Sequence, residues 1–447
     1  MKRLLVWGWL LLLPGVAAAQ GVPTAPGGLL TLEQAVSAAL RQNREVQSAT
    51  LEVGRAEDQL RAAKTLRLPK LQLGLTEAYT FTPLELKFKT GDLGTFPGIG
   101  PVPSENTTIR DSTDFHTAVL TRAAQPLSQQ YRIGLEVDQL ALRRRIAGSN
   151  LRLEQQTTAV SVKGAYYEVL MAQTALEAAE EHARALRELS RVVEEQHRRE
   201  AALRADVLEV QTRLAAAEAQ VLTARNGLAT RKERLNLWMG QPLEAEYRVS
   251  PVSTPTAYEP AWEEAGVRAL IQRPEVARAR LQREAAENEV RIKRAEYIPD
   301  LNLVLSYASP ITSEVLPKHV GYVGLELSWE FFDWGRKRQE VAARSKAVEQ
   351  ADQALRQTQD QVLLDLRSQL RRLQETQALY RVAQLGQEAA RERERVVRNR
   401  YTEQAALLKD ALQAQAELAE ANHRYAQALL GVWTARAEVD RALGEIQ

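Results

Sequence analysis

Apolar positions along this chain follow two periods, and the places where one gives way to the other carry most of the information. Over most of the length they recur at threes and fours. Toward the end Ala411, Leu418, Tyr425, Val432 and Val439 return every seven residues, as Val207, Leu214, Val221, Leu228 and Leu235 do earlier. Leu363, Leu366, Leu370 and Leu373 add the alternating three-four step. Sustained sevens form the seam of a coiled coil, although the core of a soluble bundle gives the same period. The stretch from Tyr131 to about Glu200 reads as one helix, ~100 Å long at ~1.5 Å per residue.

In "RAEYIPDLNLVLSY", residues 294–307, a helical tail gives way at Pro299 to strict alternation. Leu301, Leu303, Leu305 and Tyr307 fall on one face, and Asn302, Val304 and Ser306 on the other, which is the period of a strand. The same switch occurs at Pro69 in "RAAKTLRLPKLQLGL", residues 61–75. Four strands are predicted, over about 68–79, 115–125, 300–307 and 319–330. One face presents Leu71, Leu73, Leu75, Val119, Leu301, Leu303, Leu305, Val323, Leu325, Leu327 and Trp329. The opposite face offers Gln72, Thr76, Arg122, Asn302, Ser306, Glu326 and Ser328. Such strands suit a lipid-facing barrel around a wet lumen, and equally a half-buried soluble sheet.

The pattern occurs twice. Residues 40–73 lie over residues 270–303 without a gap, with about a third of positions matching, at an offset of 230. Further on, 204–220 lies over 408–424 and the terminal Gly240 over Gly444, at an offset of 204. The first copy therefore holds 26 extra residues, placed between Glu77 and His116, where Pro83, Pro97, Pro101 and Pro103 with several glycines predict a long loop. Residues 20–240 form the first repeat and 262–447 the second, each reading helix, strand, loop, strand, very long helix, helix. Residues 241–261, with four prolines, form the linker. Thr31 with Gln34 makes a capping box for the first helix, and Pro274 suits the first turn of another.

Composition sharpens this picture. A length of 447 would ordinarily suggest about three domains. The 17 prolines, however, are absent from residues 127–241 and 318–447, leaving two long stretches that nothing prevents from being helical. The balance of 59 basic against 57 acidic residues, net +2, argues against a nucleic-acid partner, and Arg143-Arg144-Arg145 reads as a solvated helix face. Lys2 and Arg3, the apolar run Leu4–Leu13 and Ala17-Ala18-Ala19 have the form of a secretory signal, residues 1–19. There is no cysteine, hence neither a disulfide framework nor a lipid-acceptor thiol at that site. No later run reaches ~18 continuous apolar residues, so a membrane could be entered only by strands.

Four strands cannot close around a lumen, and an open edge in lipid leaves amides unpaired at several kcal/mol each. Either the sheet is not in lipid, or several chains pool their strands. The duplicated order, "FFDWGRKRQEV" at 331–341 and "RYTEQAALLKDALQAQAELAEA" at 400–421 resemble the TolC family of outer-membrane efflux proteins, over essentially all of residues 30–447. The resemblance implies a mainly α chain with a membrane β-barrel part: the TolC-like trimeric α/β-barrel, four strands per chain plus long coiled-coil helices, internally duplicated. It implies a homotrimer in outer-membrane lipid that acts as a passive exit duct, gated at its periplasmic tip, of a tripartite efflux or type I secretion system. The implied partners are a periplasmic adaptor protein and an inner-membrane pump or secretion ATPase.

Site residues follow from the same resemblance. Asp206 and Asp410 match acidic positions just inside the tip, Tyr401 matches a gate-linking tyrosine, and Gln413 stands where a second acidic ring residue can occur. Ala406 replaces a basic gate partner. Adaptor contact falls on Glu200, Ala201, Ala202 and Leu203 and on Gln404, Ala405, Ala406 and Leu407. Glu200 and Gln404 occupy places where the family usually has glycine, so a turn of different shape is expected there. No catalytic set is visible: the five histidines are scattered, there is no phosphate-cradling glycine loop, and no cofactor is implied. A soluble periplasmic adaptor and a structural coiled-coil protein are the alternatives, the first normally with one helical hairpin and the second without a use for strands.

Overall fold

Two single residues, Asn43 and Arg273, each end one helix and start the next, and the chain around them repeats the same elements. The computed structural model describes residues 28–79, 81–82, 85–110, 115–200, 202–252, 258, 260–310, 317, 319–403 and 405–445, so residues 1–19, expected to be a secretory signal, lie outside the described residues. The first copy runs β1 (Leu29–Leu30), α1 (Leu32–Gln42), α2 (Arg44–Thr65), β2 (Lys70–Tyr79), β3 (Glu85–Phe88), β4 (Thr95–Phe96), β5 (Gly100–Pro101), β6 (Thr107–Arg110), β7 (Phe115–Pro126), α3 (Gln130–Arg198) and α4 (Arg204–Met239). After β8 (Arg248–Val249) come α5 (Trp262–Gln272), α6 (Pro274–Ala295), β9 (Asp300–Pro310), β10 (Val320–Ser328), α7 (Arg336–Thr402) and α8 (Leu408–Leu443). Corresponding helices agree in length: 11 residues in α1 and α5, 22 in α2 and α6, 36 in α4 and α8, and 69 against 67 in α3 and α7.

Local chemistry sets these boundaries. Thr31 and Gln34 exchange the two bonds of the capping box, at 3.0 and 3.3 Å. Asn43 accepts from the Glu45 amide at 2.9 Å to cap α2, and donates to the Trp238 carbonyl at 3.0 Å. At the equivalent place in the second copy Pro274 opens α6, where its missing N–H is harmless. Gly240 and Gly444 end α4 and α8 in the left-handed region, at φ 70° and 94°.

The chain divides into two compact units, and each draws segments from both sequence repeats. The first unit comprises residues 1–47, 155–261 and 366–447, the second 48–154 and 262–365. In the first unit, Val162, Tyr166 and Val169 of α3, Leu235 and Met239 of α4 and Trp433 of α8 form one core. The completely buried Tyr166 places its hydroxyl 2.9 Å from the carbonyls of both Leu30 and Ser250, which pins the parallel pair β1–β8 to the helices. The segment expected as a linker thus supplies a strand and, at Tyr258, a ring on which the Arg436 guanidinium stacks at 3.3 Å. Every heptad position named in α4 and α8 is buried or half-buried, so the sevens do mark the packed side.

The second unit holds a four-stranded sheet in the order β10-β9-β7-β2, antiparallel throughout. Its register pairs Leu73 with Thr121, Leu75 with Val119, Leu303 with Leu325 and Leu305 with Val323, which gathers the apolar residues on one face. The other face carries Gln72 opposite Arg122, Arg122 opposite Ser306 and Asn302 opposite Glu326, and Arg122 forms an ion pair with Glu326 across two strands. Of the outward leucines all but the half-buried Leu301 are open to solvent, Leu71 at 76% of its full exposure. Strands β2 and β10 are the two edges, and no partner strand covers either among the described residues. At the junction of α5 and α6, the almost fully buried Arg273 side chain is neutralised on both sides, by Glu275 at 2.5 Å and Asp365 at 2.7 Å.

One expectation needs correction. The insertion between Glu77 and His116 is not a plain loop, since β3 pairs with β6 and β4 with β5 to make a small folded lobe. Gly91 and Gly94, both at positive φ, let the chain turn so that Leu93 N–H reaches the Val102 carbonyl at 2.9 Å. Among the described residues no helix is long and apolar enough to cross a membrane.

Candidate functional site at the helical tips

Helix α3 ends at a turn whose conformation its sequence resists. Glu200 sits at φ 60°, the left-handed conformation that glycine adopts freely, and its N–H donates to the His197 carbonyl at 2.9 Å. Glu200 thus takes at this one position the backbone conformation that a glycine would take. The His197 ring crosses the turn and donates from Nδ1 to the Ala202 carbonyl at 2.8 Å, the only role open to a nitrogen facing a carbonyl oxygen. This histidine was not singled out by its spacing. Its signal was its place in the last helical turn, within reach of the loop carbonyls.

Both short helices then begin in the same way. Leu203 precedes α4 at φ −76°, ψ 152°, and Leu407 precedes α8 at φ −82°, ψ 153°. Leucine has no acceptor, so the capping bond runs only in the return direction. Asp206 accepts the Leu203 N–H at 3.0 Å, and Asp410 accepts the Leu407 N–H at 3.3 Å. A carboxylate in a first helical turn also lies in the favourable field of the helix N-terminus. Each aspartate thus has a local structural task, and each bond uses one of its two oxygens.

The remaining tip residues divide by exposure. Leu203 and Leu407 stand well out in solvent, Ala405 and Asp410 are exposed, and Ala202, Ala406, Asp206 and Tyr401 are half-buried. Ala201 and Gln404 lie outside the described residues. The Tyr401 phenol is held above its ordinary pKa, first by burial and then by the negative charge of Asp206, so these two residues lie within each other's field. Gln413, one turn beyond Asp410, donates to Glu417 at 3.1 Å.

Behind the tips, polar rungs join the paired helices. Gln211 reaches Glu194 at 3.0 Å and Arg187 reaches Glu218 at 2.7 Å between α3 and α4. Arg393 reaches Glu417 at 3.0 Å, Gln387 reaches Asn422 at 2.9 Å, and the Tyr380 and Tyr425 hydroxyls meet at 3.2 Å between α7 and α8. Leu412, two residues past Asp410, packs with Ala183, Leu186 and Ala217. Along α7 and α8 small residues, among them Gly386, Ala390, Ala416 and Gly431, leave a groove of ≈ 950 Å³ that Gln413 also lines. The described residues contain no cluster of side chains suited to a metal ion.

Comparison with known proteins bears on this arrangement. The sequence profile described as "Outer membrane efflux protein" matches residues 35–241 and 266–445. The alkaline protease secretion protein AprF of Pseudomonas aeruginosa is 30% identical over 233 residues, 48% of this chain and 47% of that protein, so the chain spans about half the length of the curated relative it matches. A crystal structure of CusC, studied for folding and transmembrane channel formation, superposes with a TM-score of 0.74 at 16% identity, covering 93% of this chain and 92% of that one. The CmeC outer membrane channel of Campylobacter jejuni gives 0.73 at 15% identity, over 92% of this chain and 85% of that one. At such identity these structures speak for the fold.

Proposed function

Because the chain belongs to the outer membrane efflux protein family and its place is the bacterial outer membrane with a periplasmic extension, we propose that it is the exit duct of a tripartite efflux or type I secretion system. The observation that carries this reading is the sheet with two open edges and an outward row of leucines, which is unfinished in one chain. In lipid, every edge amide must find a partner, and three copies contribute twelve strands to one closed barrel. The lumen side then carries Gln72, Arg122, Asn302 and Glu326, and the helices continue as a tunnel toward the tips. A relative named for alkaline protease secretion favours the secretion branch for this duct. The family is one of channels, and the reading assigns no catalysis and no cofactor.

The tips form the gate. Asp206 and Tyr401 act as a closing contact, because the phenol can donate to a carboxylate oxygen left free by the cap. Three copies of Asp410 around a narrow axis attract cations and repel anions, with Gln413 as a neutral second ring. A periplasmic adaptor seats on residues 200–203 and 404–407 and favours the untwisted, open state, linking the duct to an inner-membrane pump or secretion ATPase. The test is single-channel recording in planar bilayers. Asp410→Asn keeps an oxygen to accept the Leu407 N–H but removes the charge, and should lower cation preference and change conductance. Asp410→Ala should do the same and also loosen the start of α8. Wild-type selectivity in both variants would remove Asp410 from the gate.

A further inference from the structure

The polar face of the four-stranded sheet carries few charges, and the two that lie deepest cancel. Its formal charges on β2, β7, β9 and β10 are Lys70 and Asp300, at strand ends that join the helices, and Arg122 and Glu326 further along. Asp300 is met by Arg132 of α3 at 3.2 Å. Beyond Arg122, toward the hairpin ends, the strands place no lysine, arginine, aspartate or glutamate on this face among the described residues. Arg122 stands opposite Ser306 and Glu326 opposite Asn302, so their ion pair runs diagonally over β9 and joins strands that are not neighbours. Val304, flanked by the small Ala124 and Gly324, and Ser306 lie under that diagonal. They are only 3% and 5% exposed, as a pair laid flat against the wall requires.

Both side chains of the pair are partly open to water, and such a pair adds little to stability. Its larger effect is on the space in front of it. In the duct proposed above, on which this inference rests, three copies bring three Arg122 groups into one ring, and an unbalanced ring of guanidinium groups filters for anions. Glu326 removes that bias at the wall itself. We infer that Arg122 and Glu326 determine the charge selectivity of the barrel: paired, they leave its wall, from Arg122 to the hairpin ends, indifferent to the sign of the cargo. Discrimination by charge then falls to the tips. A neutral wall suits a cargo that carries both signs along its length, which is the property of a polypeptide. A ring of one sign would hold each oppositely charged stretch as it passed, whereas conduction needs contacts weak enough to leave.

The chain has no cysteine of its own, so a single introduced thiol reports the field around it. Leu120→Cys and Tyr322→Cys put that thiol on the polar face, the first two residues from Arg122 on β7 and the second opposite Ser306 on β10; both native side chains are exposed. The full chain in the outer membrane of intact cells is treated with a cationic trimethylammonium or an anionic sulfonate methanethiosulfonate. At about 0.1 M salt, where charge is felt over about 10 Å, each thiol reads its own neighbourhood. The ratio of the two rates cancels differences in expression. With the pair intact this ratio should match that of 2-mercaptoethanol in solution. Glu326→Gln should raise the anionic rate over the cationic by about threefold or more, Arg122→Gln should shift it the other way, and the double variant should return it to the start. A ratio that stays put in both single variants, or is already biased with the pair intact, overturns the inference. Val323→Cys, on the outward face, separates this from a failure of the duct. In the duct, lipid shields it from both reagents while Leu120→Cys reacts; a Val323→Cys that reacts as fast as Leu120→Cys, or faster, counts against the duct and takes the inference with it.

Discussion

At the scale of single residues, the most telling position is Glu200. A left-handed conformation costs a side chain about 1–2 kcal/mol, whereas glycine enters it freely but loses more chain entropy on folding, about 0.5–1 kcal/mol. Glu200→Gly should therefore stabilise the tip turn by up to about 1 kcal/mol. Local stability of this kind is read by amide exchange. Exchange across residues 198–204 should slow roughly two- to fivefold in the variant, and faster exchange would show that Glu200 makes a compensating contact. The same residue marks a limit of legibility. Its departure from the family's glycine was visible, but the shape of the turn was not, because the His197 bond to Ala202 that steadies it joins residues without any recognisable spacing. Asp206 and Asp410 were singled out by the family resemblance, yet their bonds to leucine amides depend on a cap conformation that only coordinates reveal.

At the scale of elements, Gly240 shows how closely helix ends are fitted. It terminates α4 at φ 70°, and a Cβ there would lie 2.3 Å from the Gln42 carbonyl oxygen and 2.7 Å from its carbon. Backbone cannot swing aside, and the end of α1 is fixed further by Asn43 on Trp238 and by the bond between the Gln241 and Gln42 side chains. Gly240→Ala should cost about 2–4 kcal/mol, combining the conformational penalty with the overlap. Chemical denaturation measures it, and a loss below about 1 kcal/mol would mean that α1 can retreat. Strands and long helices were readable because their periods persist over many residues, and the four strands fall within a few residues of their predicted limits. The lobe β3–β6 was not. Its strands have two to four residues, too few to establish a period, and its turns are spelled by the same glycines and prolines that spell an open loop.

At the scale of the whole molecule, the duct proposed above makes an oligomer a requirement, because in lipid the two edges β2 and β10 need partner strands. Detergent-purified protein should sediment as three chains and resist dissociation until the strands unpair, whereas a well-folded monomer in sedimentation would refute the barrel reading. Here the sequence was informative in a different way: the number of strands left a choice between a sheet outside lipid and pooled chains, and the family resemblance implied the pooled barrel. The division into compact units was invisible, since each is assembled from distant segments that the long helices α3 and α7 thread through in turn.

The lobe at residues 85–110 has a consequence of its own. Strands β2 and β7 stay in register to their very ends, where Tyr79 faces Phe115 and the two rings meet edge to face at 5.2 Å. The ladder is thus sealed before the lobe begins, and the lobe closes on its own bonds, such as Thr90 N–H to the Asn106 side chain at 3.0 Å. Exchanging it for another cassette should leave the β2–β7 pairing untouched, which makes this hairpin a natural place to carry an epitope or affinity tag.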